Sequence, residues 1–198
     1  LAQFELSADA QFALMKMCSD GLLKTDQAES LMTWLNRESG RGNGYADYNV
    51  GLIHEQGVIG GKPDYKKAVE FYTKAIKEEV HDAFCNLGNI YITGVGAAQG
   101  VLRDVDKGAE LLAKGAELGS RQAAYTLGSH YGKGEIIQAD YRKAFFYLTL
   151  ASLALHDQAK RILLIMQHSV KEDFSKELEQ AQHLHAKIQN MRQLYKLL

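Results

Sequence analysis

Clustered glycines are the first residues in this chain that could do chemistry. "GVGAAQGVLRD", Gly94 to Asp104, follows an apolar stretch and precedes a helical pattern, as a phosphate-cradling loop would. A dinucleotide loop needs glycines at the first, third and sixth positions after a strand, so that backbone N–H groups can approach a pyrophosphate at a helix N-terminus. Gly94, Gly96 and Gly100 have a different spacing, and no strand pattern precedes them. "GVIGGKP" (Gly57–Pro63) and "GSHYGKGE" (Gly128–Glu135) miss the P-loop spacing and lack Ser or Thr after Lys. Neither a nucleotide nor any other cofactor is expected.

Metal and nucleophile chemistry fares no better. The seven histidines form no ligand set. His54 and His130 fall at or beside a recurring ring position, where packing explains them, and His183 and His185 are two apart on a helix and face different ways. No HExxH or CxxC occurs, and Cys18 and Cys85 share no motif, so both are expected as inert thiols. No Ser stands three residues before a Lys, and there is no Lys-Thr-Gly, so the serine acylation apparatus of penicillin-binding enzymes is missing. The expectation is a protein without catalytic or metal-ligating residues.

The elements that carry these residues explain them. Of 198 residues, 46% are hydrophobic, 24% are charged and one is Pro, which suits a helical protein with a real core. A formal net charge of -1, with no basic block, argues against a nucleic-acid partner. No apolar run reaches the length of a membrane span. The chain opens at Leu1 rather than Met, which fits export with a leader removed.

Three segments align: "ADYNVGLIHEQG" (Ala46–Gly57), "AFCNLGNIYITG" (Ala83–Gly94) and "AAYTLGSHYGKG" (Ala123–Gly134). Each is followed by a second shared segment beginning at Asp64, Asp104 or Asp140, with small residues at Ala68/Ala75, Gly108/Gly115 and Ala144/Ala151. Spacings of three, four and seven lie on one helical face, and the aspartates suit N-caps. Fainter copies begin at Ala10 and Ala159. The mid-helix glycines Gly51, Gly88 and Gly128 predict backbones nearly touching, because Gly is otherwise costly inside a helix. "GVGAAQGVLRD" then becomes the inter-helix loop of the second clear repeat, longer than its counterparts and expected to be dispensable for folding.

This pattern resembles the Sel1-like repeat family, relatives of tetratricopeptide repeats. Ala83, Leu87, Gly88, Tyr91, Gly94, Asp104 and Lys107 match its signature, as do Asp64, Lys67, Ala68, Tyr72, Lys74 and Ala75. Gly108 in place of Ala and the eroded outer copies depart from it. The expected fold is an all-α, α/α solenoid of stacked antiparallel helix pairs, with about ten helices. Its expected organisation is a degenerate repeat at 10–45, clear repeats at 46–82, 83–122 and 123–158, and a degenerate repeat with a capping helix at 159–198.

What the resemblance implies is a non-enzymatic scaffold or adaptor, bacterial, that binds a protein or peptide on its concave face. By analogy with tetratricopeptide repeats, that face takes Tyr48, Leu52 and Glu55, Asn89 and Ile92, and Tyr125, Ser129 and Lys133. Phe12 and Lys16 extend it one way and Arg161 the other. Tyr48 and Tyr125 also admit a plain packing role. Two alternatives stand beside the scaffold: an immunity or inhibitor protein that blocks a secreted toxic enzyme, and a weak cell-wall hydrolase. A periplasmic or cell-envelope location is marginally favoured over the cytoplasm.

The tail is a further amphipathic stretch. Ser169 and Glu172 have capping-box spacing, and Phe174, Leu178, Ala181, Leu184, Ile188, Met191, Tyr195 and Leu198 follow helical spacing. Its first half is expected to cap the last repeat. From Ile188 onward it either continues the cap or docks on a partner or a second copy, which would make a homodimer.

Overall fold

The computed structural model describes residues 25–58 and 60–195. Among them are nine α-helices and no strand: Thr25–Ser39 (α1), Gly44–Gln56 (α2), Tyr65–Lys77 (α3), His81–Thr93 (α4), Val105–Glu117 (α5), Arg121–Lys133 (α6), Tyr141–Leu153 (α7), Asp157–Ser169 (α8) and Ser175–Tyr195 (α9). Helix α2 packs on α3, α4 on α5 and α6 on α7, and each pair meets the next. The first helices α4 and α6 also touch directly. The result is an α/α solenoid. The faint first copy, with Phe12, Lys16 and Cys18, lies outside the described residues.

Local chemistry sets the ends of each pair. Carboxylates of Asp64, Asp104 and Asp140 accept from the backbone N–H of Lys67, Lys107 and Lys143 at 3.0, 3.0 and 2.9 Å. Such an N-cap is worth about 1 kcal/mol. The same aspartates donate their own N–H to the carbonyls of His54, Tyr91 and Tyr131, at 2.7, 3.0 and 3.1 Å. That bond ties the start of each second helix to the end of the first. Lys107 then lies 4.1 Å from the Tyr91 ring centre, and Lys143 lies 5.1 Å from that of Tyr131. The recurring Asp, Lys and ring positions are therefore one structural device.

The mid-helix glycines are places of close approach. A Cβ on Gly51 would lie 2.5 Å from the Tyr72 ring, and one on Gly128 would lie 2.9 Å from the Leu148 side chain. In the middle repeat, Gly88 meets Leu112 and the backbone of Gly108. Tyr72, Leu112 and Leu148 are each fully buried, so the bulky residue of the second helix enters the space that glycine leaves.

The long loop is tied across repeats: the Gln99 side chain accepts from the Tyr65 N–H at 2.6 Å and donates to the Pro63 carbonyl at 2.9 Å, while Val101 is buried. One expectation fails here: the capping box at Ser169–Glu172 does not form. Helix α8 runs through Ser169, and α9 begins at Ser175, whose N–H donates to the Asp173 carboxylate at 2.9 Å. A chain that must leave α8 and turn onto α7 has no room to restart a helix at residue 170.

Candidate functional site

The first helices α2, α4, α6 and α8 carry the residues expected on the inner face, and the structure separates them into two kinds. Leu52 and Ile92 are core residues, with exposures of 8% and 0%. Leu52 belongs to the cluster that includes Leu31 and Leu35 of α1. Ile92 reaches across to α5, where Gly108 has no side chain to exclude it. Neither is available to a partner, which corrects their assignment to the face. Phe12 and Lys16 lie outside the described residues.

Around Tyr48 and Glu55 the face is a polar network. The Tyr72 hydroxyl donates to the Glu55 carboxylate at 2.5 Å, and the Asn86 amide donates to the Tyr72 oxygen at 3.0 Å and to Glu55 at 3.4 Å. Tyr48, half-buried, packs with its ring centre 5.9 Å from that of Tyr72. Burial raises the Glu55 carboxyl above its usual range, and the bond from Tyr72 offsets part of that rise. Burial likewise lifts the Tyr48 and Tyr72 phenols, and it pushes the Cys85 thiol up to about 12. The Tyr48 and Tyr72 phenols and the Cys85 thiol therefore stay protonated at neutral pH, which leaves Cys85 a poor nucleophile. Asn89 donates to the Cys85 sulfur at 3.8 Å.

The third repeat is built differently. Tyr125 stacks on His156 of the α7–α8 turn with ring centres 4.1 Å apart. Beside it, a cavity of about 210 Å³ opens between α6, α7 and α8. Leu148, Ile162 and Met166 supply apolar wall, Tyr125 and Tyr141 supply rings, and Ser129 and Lys133 come from α6. The Ser129 hydroxyl oxygen is buried there and has no hydrogen-bond partner among the described residues. Lys133 is exposed at the end of α6 and makes no ion pair among the described residues. Arg161 is exposed on α8. Burial, and then the charge of Lys133, hold His130 below its usual range.

The contributions of Asn86, His156, Tyr141, Ile162 and Met166 escape sequence reasoning, because they come from second helices, turns or neighbouring repeats. Among the described residues, no group of three or more His, Cys, Asp or Glu is placed to hold a metal ion. No described helix is long and apolar enough to cross a membrane.

Helix α9 packs on α7, and Phe174 just before it, with Ala181 and Ile188 on it, is buried. Phe174 stacks on Phe145 at 4.5 Å, and Glu177 accepts from Arg142 at 3.1 Å. Arg192 donates to the Gly119 carbonyl at 3.0 Å. Met191 and Leu194 are exposed.

Comparison with known proteins matches this architecture. The family described as Sel1 repeat matches residues 44–79, 81–120 and 121–154. Among solved structures, the chain is similar to a Sel1 repeat protein from Oxalobacter formigenes, with 25% identity and a TM-score of 0.65 over 91% of this chain and 73% of that one. It is more distantly similar to c5321, a protective antigen of uropathogenic Escherichia coli displaying an SLR fold (21% identity, TM-score 0.40, 93% of this chain and 46% of that one). The immunity protein Pa5087 from Pseudomonas aeruginosa also matches (18% identity, TM-score 0.38, 95% of this chain and 84% of that one). No protein of curated function matches the chain.

Proposed function

The chain belongs to the Sel1 repeat family, and from that premise we propose that it is a non-enzymatic scaffold that binds a segment of another protein along its first helices. The observation that carries this reading is the patch of the third repeat. There a half-buried ring, Tyr125, stands beside an open cavity and the exposed cation of Lys133. Protein interfaces are enriched in aromatic anchors and in methionine, both present here in Tyr125, Tyr141 and Met166, with charged groups such as Lys133 at the rim. The polar network at Glu55 and Tyr72 supports the same reading differently. Its groups bond to one another across the first and second repeats, which leaves the third repeat with the open polar and aromatic surface.

The test is affinity capture with the wild-type chain and with a Tyr125→Ala/Lys133→Glu variant of matched melting temperature, read by mass spectrometry. A protein retained by the first and lost by the second supports the scaffold. Identical capture by both, or turnover of labelled cell-wall fragments, overturns it.

A further inference from the structure

The position four residues after the repeat glycine is filled differently in each repeat. In the first it is Glu55, bonded to Tyr72. In the second it is Ile92, fully buried over Gly108. In the third it is Gly132, and the cavity of about 210 Å³ lies there. Packing does not require this glycine. A Cβ on Gly132 would meet only the Ala144 Cβ, at 3.7 Å, an ordinary contact, whereas one on Gly128 would lie 2.9 Å from Leu148. Backbone conformation does not require it either, since Gly132 is inside α6 with no positive φ. Glycine weakens a helix relative to alanine, so its effect here is to keep a hole open.

We propose that this hole is a specificity pocket that takes one aromatic side chain of a bound protein segment, with an acidic group of the same segment beside it meeting Lys133. The proposal rests on the scaffold reading above. Size sets the class of side chain: a cavity of about 150 Å³ lined by apolar side chains holds benzene, and this one has about 210 Å³. The lining suits a ring, with the aromatic side chains of Tyr125 and Tyr141 and the thioether of Met166, which favours aromatic contact. Tyr125 is held in place by its stack on His156. The buried Ser129 oxygen lacks a partner, and buried polar groups ordinarily have one. Lys133 makes no ion pair among the described residues, so a carboxylate next to the ring gains a charge partner without breaking an existing pair.

The experiment is an amide NMR titration of the full chain with an acetylated, amidated Asp-Phe-Gly peptide and with its Ala-for-Phe and Lys-for-Asp analogues. The Phe peptide is expected to shift the amides of Gly128, Ser129 and Gly132. Each analogue is expected to bind at least about tenfold more weakly, the factor that corresponds to 1.4 kcal/mol. Gly132→Leu, which fills the hole, is expected to abolish the shifts while the melting temperature holds or rises. Lys133→Ala leaves the hole open and is expected to weaken binding of the Asp-Phe-Gly peptide severalfold, so the pocket stays testable if the larger substitution misfolds. Shifts lying elsewhere, equal binding by the Ala analogue, or unchanged binding by Gly132→Leu would each overturn the proposal. So would toluene binding as tightly as the peptide, since that marks a small-molecule cavity. If Gly132→Leu still captures every partner of the wild type and the Phe peptide fails to bind, the pocket falls and the scaffold stands. If the peptide binds and no protein is captured, the pocket stands and the scaffold reading alone falls.

Discussion

A Cβ built on Gly88 would lie 2.9 Å from the carbonyl oxygen of Gly108, and one built on Gly108 would lie 2.7 Å from the carbonyl oxygen of Gly88. The two backbones exclude each other's side chains, and neither can retreat without moving a helix. Gly88→Ala should therefore destabilise, even though alanine favours a helix by about 0.5–1 kcal/mol. The overpacking it forces costs about 1–3 kcal/mol. Gly132→Ala is the control: its Cβ meets only an ordinary contact, so the helix gain should show as a small rise in stability. Urea melts of both variants check this. A Gly88→Ala protein as stable as Gly132→Ala would mean the helices can slide apart freely.

The clamp at Gln99 makes a second, smaller prediction. Gln99→Ala removes the acceptor of the Tyr65 N–H and the donor to the Pro63 carbonyl. Both bonds are exposed, so the loss should be about 0.5–1.5 kcal/mol in total. A more specific signature is faster hydrogen exchange at the Tyr65 amide, with the Lys67 amide, capped by Asp64, unchanged. Equal exchange at Tyr65 in both proteins would show that the loop does not hold the first repeat.

Glu55 gives the fold a defined pH response. Burial raises its carboxyl in the folded chain above 4.5, the ordinary value for a glutamate. The folded chain therefore holds this proton more tightly than the unfolded one. The stability it contributes is fully present below about 4.5 and is lost as pH rises through the higher folded value. Buried Asp47 is raised in the same way, and Asp82 is lowered, so the test must be a difference. Wild type minus Glu55→Gln, measured by urea melts at pH 7 and pH 5, should gain stability on acidification. In a Tyr72→Phe background the gain should be larger, because the hydroxyl that opposes the shift is gone. A flat difference in both backgrounds would remove Glu55 from the buried network.

What the sequence makes legible follows from range. Asp104 capping Lys107 is a contact three residues long, and Gly88 recurs at a fixed helical spacing, so both can be read from the chain. Gln99 bonds 34 residues away to Tyr65 and has no counterpart in the other repeats, so no pattern marks it. The offset of Ile92 from Gly88 points it to the face. The offset cannot show that Gly108, on the opposing helix, leaves a space for it. The cavity beside Gly132 is the hardest case. It exists because a side chain is missing where three helices meet, and α8 joins that meeting only through tertiary packing.

The far end of α9 decides between a cap and a docking arm. Ile188 is 3% exposed, and both it and Arg192 sit over Gly119, whose φ of 96 lies in the left-handed region. Arg192 also satisfies the Gly119 carbonyl. An anchor this far along the helix makes α9 part of the folded unit. Ile188→Ala should then cost about 2–5 kcal/mol, as truncation of a buried aliphatic does. Leu194, 63% exposed and nearly two turns beyond Ile188, is the contrast. Leu194→Asp should leave the melt nearly unchanged, because it disturbs no buried contact. It should also leave the sedimentation coefficient unchanged if the helix serves only this chain. A helix that instead docks on a second copy would behave in the opposite way: Ile188→Ala would melt near wild type, and Leu194→Asp would halve the sedimenting mass. Sedimentation velocity and melting on the same two variants separate the outcomes, and a mass change with Leu194→Asp would overturn the capping role.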